Sequence, residues 1–300
     1  MSTKVAEQGA SSSFLVQKVQ DYKMLVKLRL SLTVVFSSLM AFLIASDGQW
    51  TWAAVGVLAL GGFLVTGAAN TLNQVLEKDY DKLMTRTANR PLAAGRMTVS
   101  EAVLAAGFMS LIGISLLALF NPWAAFLGTL SMVFYAFVYT PMKRISPIAV
   151  FIGAIPGALP TMIGCVAIEG QLSLLALCLF GIQFFWQFPH FWAIGWLGYE
   201  DYSKAGYKLV PVKDGKMDDK ETGWQSFLCA LVLLPVSILP YMIGVSGLTS
   251  AILVGLLGLG YIMMSWAFYQ KPERKTALRL MFYSFGYIPF SLILLFVDKI

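Results

Sequence analysis

The sequence predicts an all-α polytopic membrane protein with nine transmembrane helices, read as two four-helix halves plus a ninth helix around a central cavity. Three observations carry that reading. The chain has 300 residues, of which 58% are hydrophobic and only 13% charged, more apolar surface than a soluble domain could hide from water. Apolar stretches of about 20 residues, enough to cross a bilayer, recur nine times. Nearly all polar residues gather in alternate connections between them.

In chain order, a polar tail over residues 1–25, with Ser11–Ser13 and scattered charges, precedes a single nine-helix domain over 26–300. The tail lacks the apolar core of a cleavable signal peptide, so the first helix is its own insertion signal. The spans fall at about 26–46, 51–76, 99–120, 122–140, 147–168, 172–197, 224–245, 249–269 and 276–297. Their length and lack of alternation argue for helices, which satisfy their backbone hydrogen bonds internally, and against barrel strands. Helices two and six, four apart, end on the same side, which suggests the two halves. Cys165, Cys178 and Cys229 are solitary residues in apolar spans, and neither disulfides nor a CxxC site is expected.

Charge placement orients the chain. Every lysine and arginine except Lys299 lies in the N-terminal tail, in the connections after helices two, four, six and eight, or, for Lys27, Arg29 and Arg279, in the first residues of the adjoining span. Positive charge is retained on the cytoplasmic side, so the N-terminus and these connections are expected inside and the C-terminus outside. The net charge of +6 thus reflects topology and contact with the lipid bilayer rather than nucleic acid. The opposite connections are minimal, and function belongs in the longer basic-side segments, roughly 82–98 and 199–223.

The end of helix two carries the clearest chemistry. Asn73, Glu77 and Asp81 stand at i, i+4 and i+8 and share one face, with Asn70 close by, whereas Asp79 points elsewhere. Two carboxylates and an amide oxygen form a hard-cation site of the kind Mg²⁺ uses, other positions being filled by water and substrate phosphate. The bland alternative is a helix end emerging into water.

The loop downstream of this helix end decides between the two. The Asn73, Glu77, Asp81 helix end and the loop with Arg86, Thr87, Arg90 and Pro91 resemble the first motif of the UbiA superfamily of membrane prenyltransferases, with Glu77 in place of the central Asp. Three further segments resemble its haem-directed branch, the protohaem IX farnesyltransferases: Tyr139-Thr140-Pro141 through Lys143, Arg144 and Pro147; Ile152 through Pro156 to Pro160; and Pro189-His190-Phe191-Trp192 running on to Gly206. The matches span roughly 70–211. Small departures at Thr161, Cys165 and Gln187-Phe188 touch packing more than chemistry.

The resemblance implies a catalytic set of Asn73, Glu77, Asp81 and Asp201, with Mg²⁺ held by the first three. It implies substrate contacts from Asn70, Arg86, Arg90, Lys143, Arg144, His190 and Lys204. Farnesyl diphosphate and haem B are the implied substrates, haem O the product, and the cytoplasmic (inner) membrane the location; a haem-modifying enzyme or a terminal oxidase stays open as a partner. Only the adjacent pair Glu200 and Asp201 stands where the superfamily has a second spaced acid pair, so Asp201 either assists the metal, orders the diphosphate loop or caps a short helix. His190, the only histidine, lies deep in helix six; it either contacts the porphyrin or serves as a structural hydrogen-bonding residue. The competing reading within the superfamily is prenylation of an aromatic quinone precursor. A secondary transporter would instead be expected to carry broken helices and midplane charges.

Overall fold

The computed structural model describes residues 15–300; the first fourteen residues of the expected tail lie outside the described residues. Among the described residues, nine helices are long and apolar enough to cross a membrane, and they follow the nine expected stretches. A further helix, α1 (15–25), precedes them. It is pinned by Lys18 to Glu101 and by buried Asp21 to Arg96, each at 2.9 Å.

The spans are α2 (Leu28–Ala45), α3 (Trp52–Asp81), α4 (Val99–Ala118), α5 (Pro122–Met142), α6 (Ala149–Glu169) and α7 (Leu174–Leu197). After the short α8 (Tyr199–Lys204) come α9 (Asp219–Met242), α10 (Leu248–Gln270) and α11 (Arg274–Val297). Several start on a side-chain cap that satisfies an otherwise orphaned N–H: Thr51, Thr98, Asn121, Ser173 and Asp218 accept from the backbone three residues on. One departure from an all-helical chain is a two-stranded hairpin, β1 (Val212–Lys213) and β2 (Lys216–Met217), closed by Asp214 and Gly215 at φ 52° and 75°, the left-handed pair a two-residue turn requires.

Helix α3 positions the site by its length. Its 30 residues reach about 45 Å at 1.5 Å per residue, against about 30 Å of hydrocarbon. That surplus is long enough to hold the Asn73–Asp81 face at its C-terminal end. The α1–α2 turn is tied to the same stretch: Gln74 donates to the carbonyls of Met24 and Leu25, and Asn70 to that of Val26 and to Ser31 Oγ. These bonds hold Lys27 in a left-handed conformation, φ 48°.

Helices α2 and α6, the first of each expected half, pack along a long seam with each other, and α6 also packs on α5 and α7. The packing by itself therefore does not single out two four-helix halves. Gly164 lets this seam close, because a Cβ there would collide with the carbonyl oxygen of Ser38. Pro160 has no N–H for the carbonyl of Pro156, and Ser131 Oγ donates to that carbonyl instead, at 3.1 Å.

Candidate active site

Three residues one turn apart on α3 each meet a cationic side chain from a different segment. Asn73 Oδ1 accepts from Lys27 Nζ at 2.8 Å, Glu77 Oε1 from Lys143 Nζ at 2.9 Å, and both Asp81 oxygens from Arg90 Nη1 at 2.8 Å. Arg90 also lies 3.9 Å from Glu77 Oε2, so one guanidinium spans both carboxylates. Asn73, Glu77 and Asp81 are all buried. A charge in such a place needs a partner, and Lys143 and Arg90 supply one for the two carboxylates, with Lys27 beside them on the Asn73 amide. Asn73 Nδ2 donates to Thr140 Oγ1 at 3.0 Å, fixing its oxygen toward Lys27.

The cations are held in turn. Lys143 lies 4.6 Å from the centre of the Tyr139 ring and 5.7 Å from that of Tyr207, positions that suit cation–π attraction. Burial works against its charge, but Glu77 beside it more than offsets this and raises its pKa. Among the described residues Lys27 has no such anion within bonding distance; burial first, then Arg90 and Lys143, push its pKa well down. The backbone of Lys208 donates to the carbonyl of Lys143 at 2.6 Å, tying the segment after α8 to the end of α5. That segment delivers the buried Tyr207, whose hydroxyl lies beside Glu77.

The remaining sequence-predicted residues fall in two groups. Beside the loop after α3, Asp201 accepts from the backbone N–H groups of Thr85 and Arg86 at 2.9 and 3.2 Å, so it organises the 82–98 loop. These bonds hold its pKa below the ordinary aspartate value. Lys204 reaches Asp201 at 3.4 Å, Arg86 donates to Tyr202 Oη at 3.2 Å, and Arg144 stacks over Tyr80 at 4.1 Å from the ring centre. Away from this cluster lie Asn70, committed to the α1–α2 turn, and His190. The latter bonds through Nδ1 to Ser284 Oγ on α11 at 2.7 Å and stacks on Trp186. It makes no hydrogen bond to the acidic face.

Sequence reasoning missed Lys27 as a site residue, reading it only as an inside charge, and it missed Tyr207 and Ser284. Lys27 had a faint signal in its place at the very start of the first span; the other two had none without the fold.

The chain matches the model of the UbiA prenyltransferase family over residues 34–286. This protein belongs to the UbiA prenyltransferase family. UbiA family relatives similar along the whole chain include the protoheme IX farnesyltransferase of Cytophaga hutchinsonii, 44% identical with 95% of this chain and 100% of the relative covered. That of Flavobacterium johnsoniae is 41% identical, with 93% and 94% covered. Among solved structures, digeranylgeranylglyceryl phosphate synthase aligns with a TM-score of 0.78 at 19% identity, covering 94% of this chain and 98% of that one. A UbiA homologue from Archaeoglobus fulgidus bound to GPP and Mg²⁺ aligns at 0.70 and 13% identity, covering 92% and 99%. The UbiA fold and prenyltransferase class are thus those of this chain.

Proposed function

We propose that this protein transfers a farnesyl group from farnesyl diphosphate to a vinyl group of haem B, giving haem O, in a Mg²⁺-dependent reaction at the cytoplasmic face of the inner membrane. The observation that carries the reading is the face of Asn73, Glu77 and Asp81 matched by Lys27, Lys143 and Arg90. The acceptor follows the relatives' shared name and the haem-directed motifs; the orientation follows the one-sided lysines and arginines.

The donor set suits magnesium. Glu77, Asp81 and Asn73 supply hard oxygens, and the ammonium of Lys143 and the guanidinium of Arg90 already stand as cations against the two carboxylates. Among the described residues no third acidic, histidine or cysteine side chain joins them, which agrees with an ion completed by diphosphate oxygens and water. Magnesium, when bound, supplies charge neutralisation on the departing diphosphate.

The chain's own groups do the rest. Arg90 and Lys143 turn from the carboxylates toward the diphosphate, Arg forks and Lys point charges both suiting phosphate oxygens. Asp201 keeps the 82–98 loop, and with it Arg86, at the mouth. The prenyl tail runs between the apolar helices, where exclusion of bulk water protects the allylic cation, formed as diphosphate leaves, until the haem vinyl group captures it; one water then adds to the new cation beside the porphyrin and loses a proton, giving the hydroxyethylfarnesyl side chain. The test is to incubate the purified protein with haem B, farnesyl diphosphate and Mg²⁺ and look for haem O by mass. No product, or product insensitive to chelator, would count against the reading.

A further inference from the structure

Ser284 Oγ lies 2.7 Å from His190 Nδ1 and 2.5 Å from the carbonyl oxygen of Met281. Two oxygens that close repel unless a proton lies between them, and a hydroxyl brings only one. The Ser284 proton is therefore spent on Met281. Toward His190 the same oxygen can only accept, so Nδ1 carries the imidazole proton. In the neutral ring Nε2 is then left with a bare in-plane lone pair.

The surroundings hold that lone pair in place without using it. Trp186 stacks on the imidazole at 4.9 Å between centroids and 17° between planes, and its indole N–H donates to the carbonyl of Ser284 at 2.8 Å. One residue thus anchors both rings. Tyr261 Oη donates to the carbonyl of Trp186 at 2.9 Å and ties in α10. Phe191 and Phe285, both exposed at the outer surface, flank the ring edge-on. No hydrogen bond reaches Nε2 among the described residues, and Nε2 is not one of the fully enclosed polar atoms. His190 as a whole is buried in the α7–α11 seam, 7% exposed.

We propose that Ser284 is a positioning residue for the haem substrate: it locks His190 in the Nδ1–H tautomer so that Nε2 can take the haem iron. The inference rests on the reading of haem as acceptor. An imidazole whose Nδ1–H is held by an acceptor while Nε2 stays free is the usual arrangement of a histidine that ligates a metal, and iron in haem commonly takes such a ligand. This assigns the porphyrin to the α7–α11 side, opposite in role to the diphosphate groups on α3 and α5.

Because His190 is the chain's only histidine, ¹⁵N-histidine labelling gives one ring to assign. The expected result is the Nδ1–H tautomer in the substrate-free protein. Ser284→Ala should yield a mixture of tautomers, a changed absorption spectrum of added haem and about ten-fold weaker haem binding, with farnesyl diphosphate affinity unchanged. Ser284→Thr, which keeps the hydroxyl, should retain the native spectrum. An Nε2–H tautomer in the native protein, or Ser284→Ala that folds and binds haem with an unaltered spectrum, would overturn the proposal. Native protein that shows the His190-dependent haem spectrum yet makes no prenylated haem would uphold it and sink the transferase reading instead.

Discussion

Glu77 and Lys143, 66 residues apart, meet as a buried ion pair at 2.9 Å, with side chains 6% and 10% exposed. The pair closes the end of α5 onto the end of α3 and sets the cation beside the carboxylate that the proposed reaction needs.

Glu77→Gln leaves Lys143 buried without its counter-charge, and losing one partner of such a pair costs about 3–5 kcal/mol. Turnover should vanish and thermal stability should fall. Asp81→Asn should likewise abolish turnover. Asp79 is exposed and among the described residues bonds only Lys82, so Asp79→Asn should cost less than about 0.5 kcal/mol and keep activity. Equal damage from Asp79→Asn would defeat the one-face argument.

Asp201 acts through backbone bonds to Thr85 and Arg86, so Asp201→Asn should raise KM for farnesyl diphosphate more than it lowers kcat. Its folded pKa lies below the ordinary aspartate value. The loop contact is therefore complete above the unfolded value and lost only as pH falls through the folded one. Amide exchange at Thr85 and Arg86 should stay protected from neutral pH into the mild acid range. Loss of protection near pH 6 would point to another group.

Gly164 allows α2 and α6 to touch, and Ala there meets the backbone of Ser38 and Phe42 rather than a movable side chain. Gly164→Ala should cost about 1–3 kcal/mol through overpacking, read as a lower melting temperature in detergent. An unchanged melting temperature would mean the seam opens without penalty.

Orientation is checked by single cysteines at exposed Asn89, Lys216 and Gln171. In sealed right-side-out membranes an impermeant reagent should label Gln171→Cys and spare the other two. Labelling of both Asn89→Cys and Lys216→Cys would move the acidic face to the opposite compartment.

What the sequence determined by itself was what short-range physics and solvent choice decide. Hydropathy set the nine spans because a bilayer demands an apolar run of fixed length, and the i, i+4, i+8 spacing put Asn73, Glu77 and Asp81 on one face because a helix repeats every 3.6 residues. The tertiary structure decided the partners. Lys27, Arg90 and Lys143 reach the acidic face from three segments, Asp201 turns its carboxylate to loop backbone, and His190 bonds to Ser284, 94 residues on. No local spacing encodes these pairings. They exist because each buried polar group must find a complement among side chains that only helix packing brings within 3 Å.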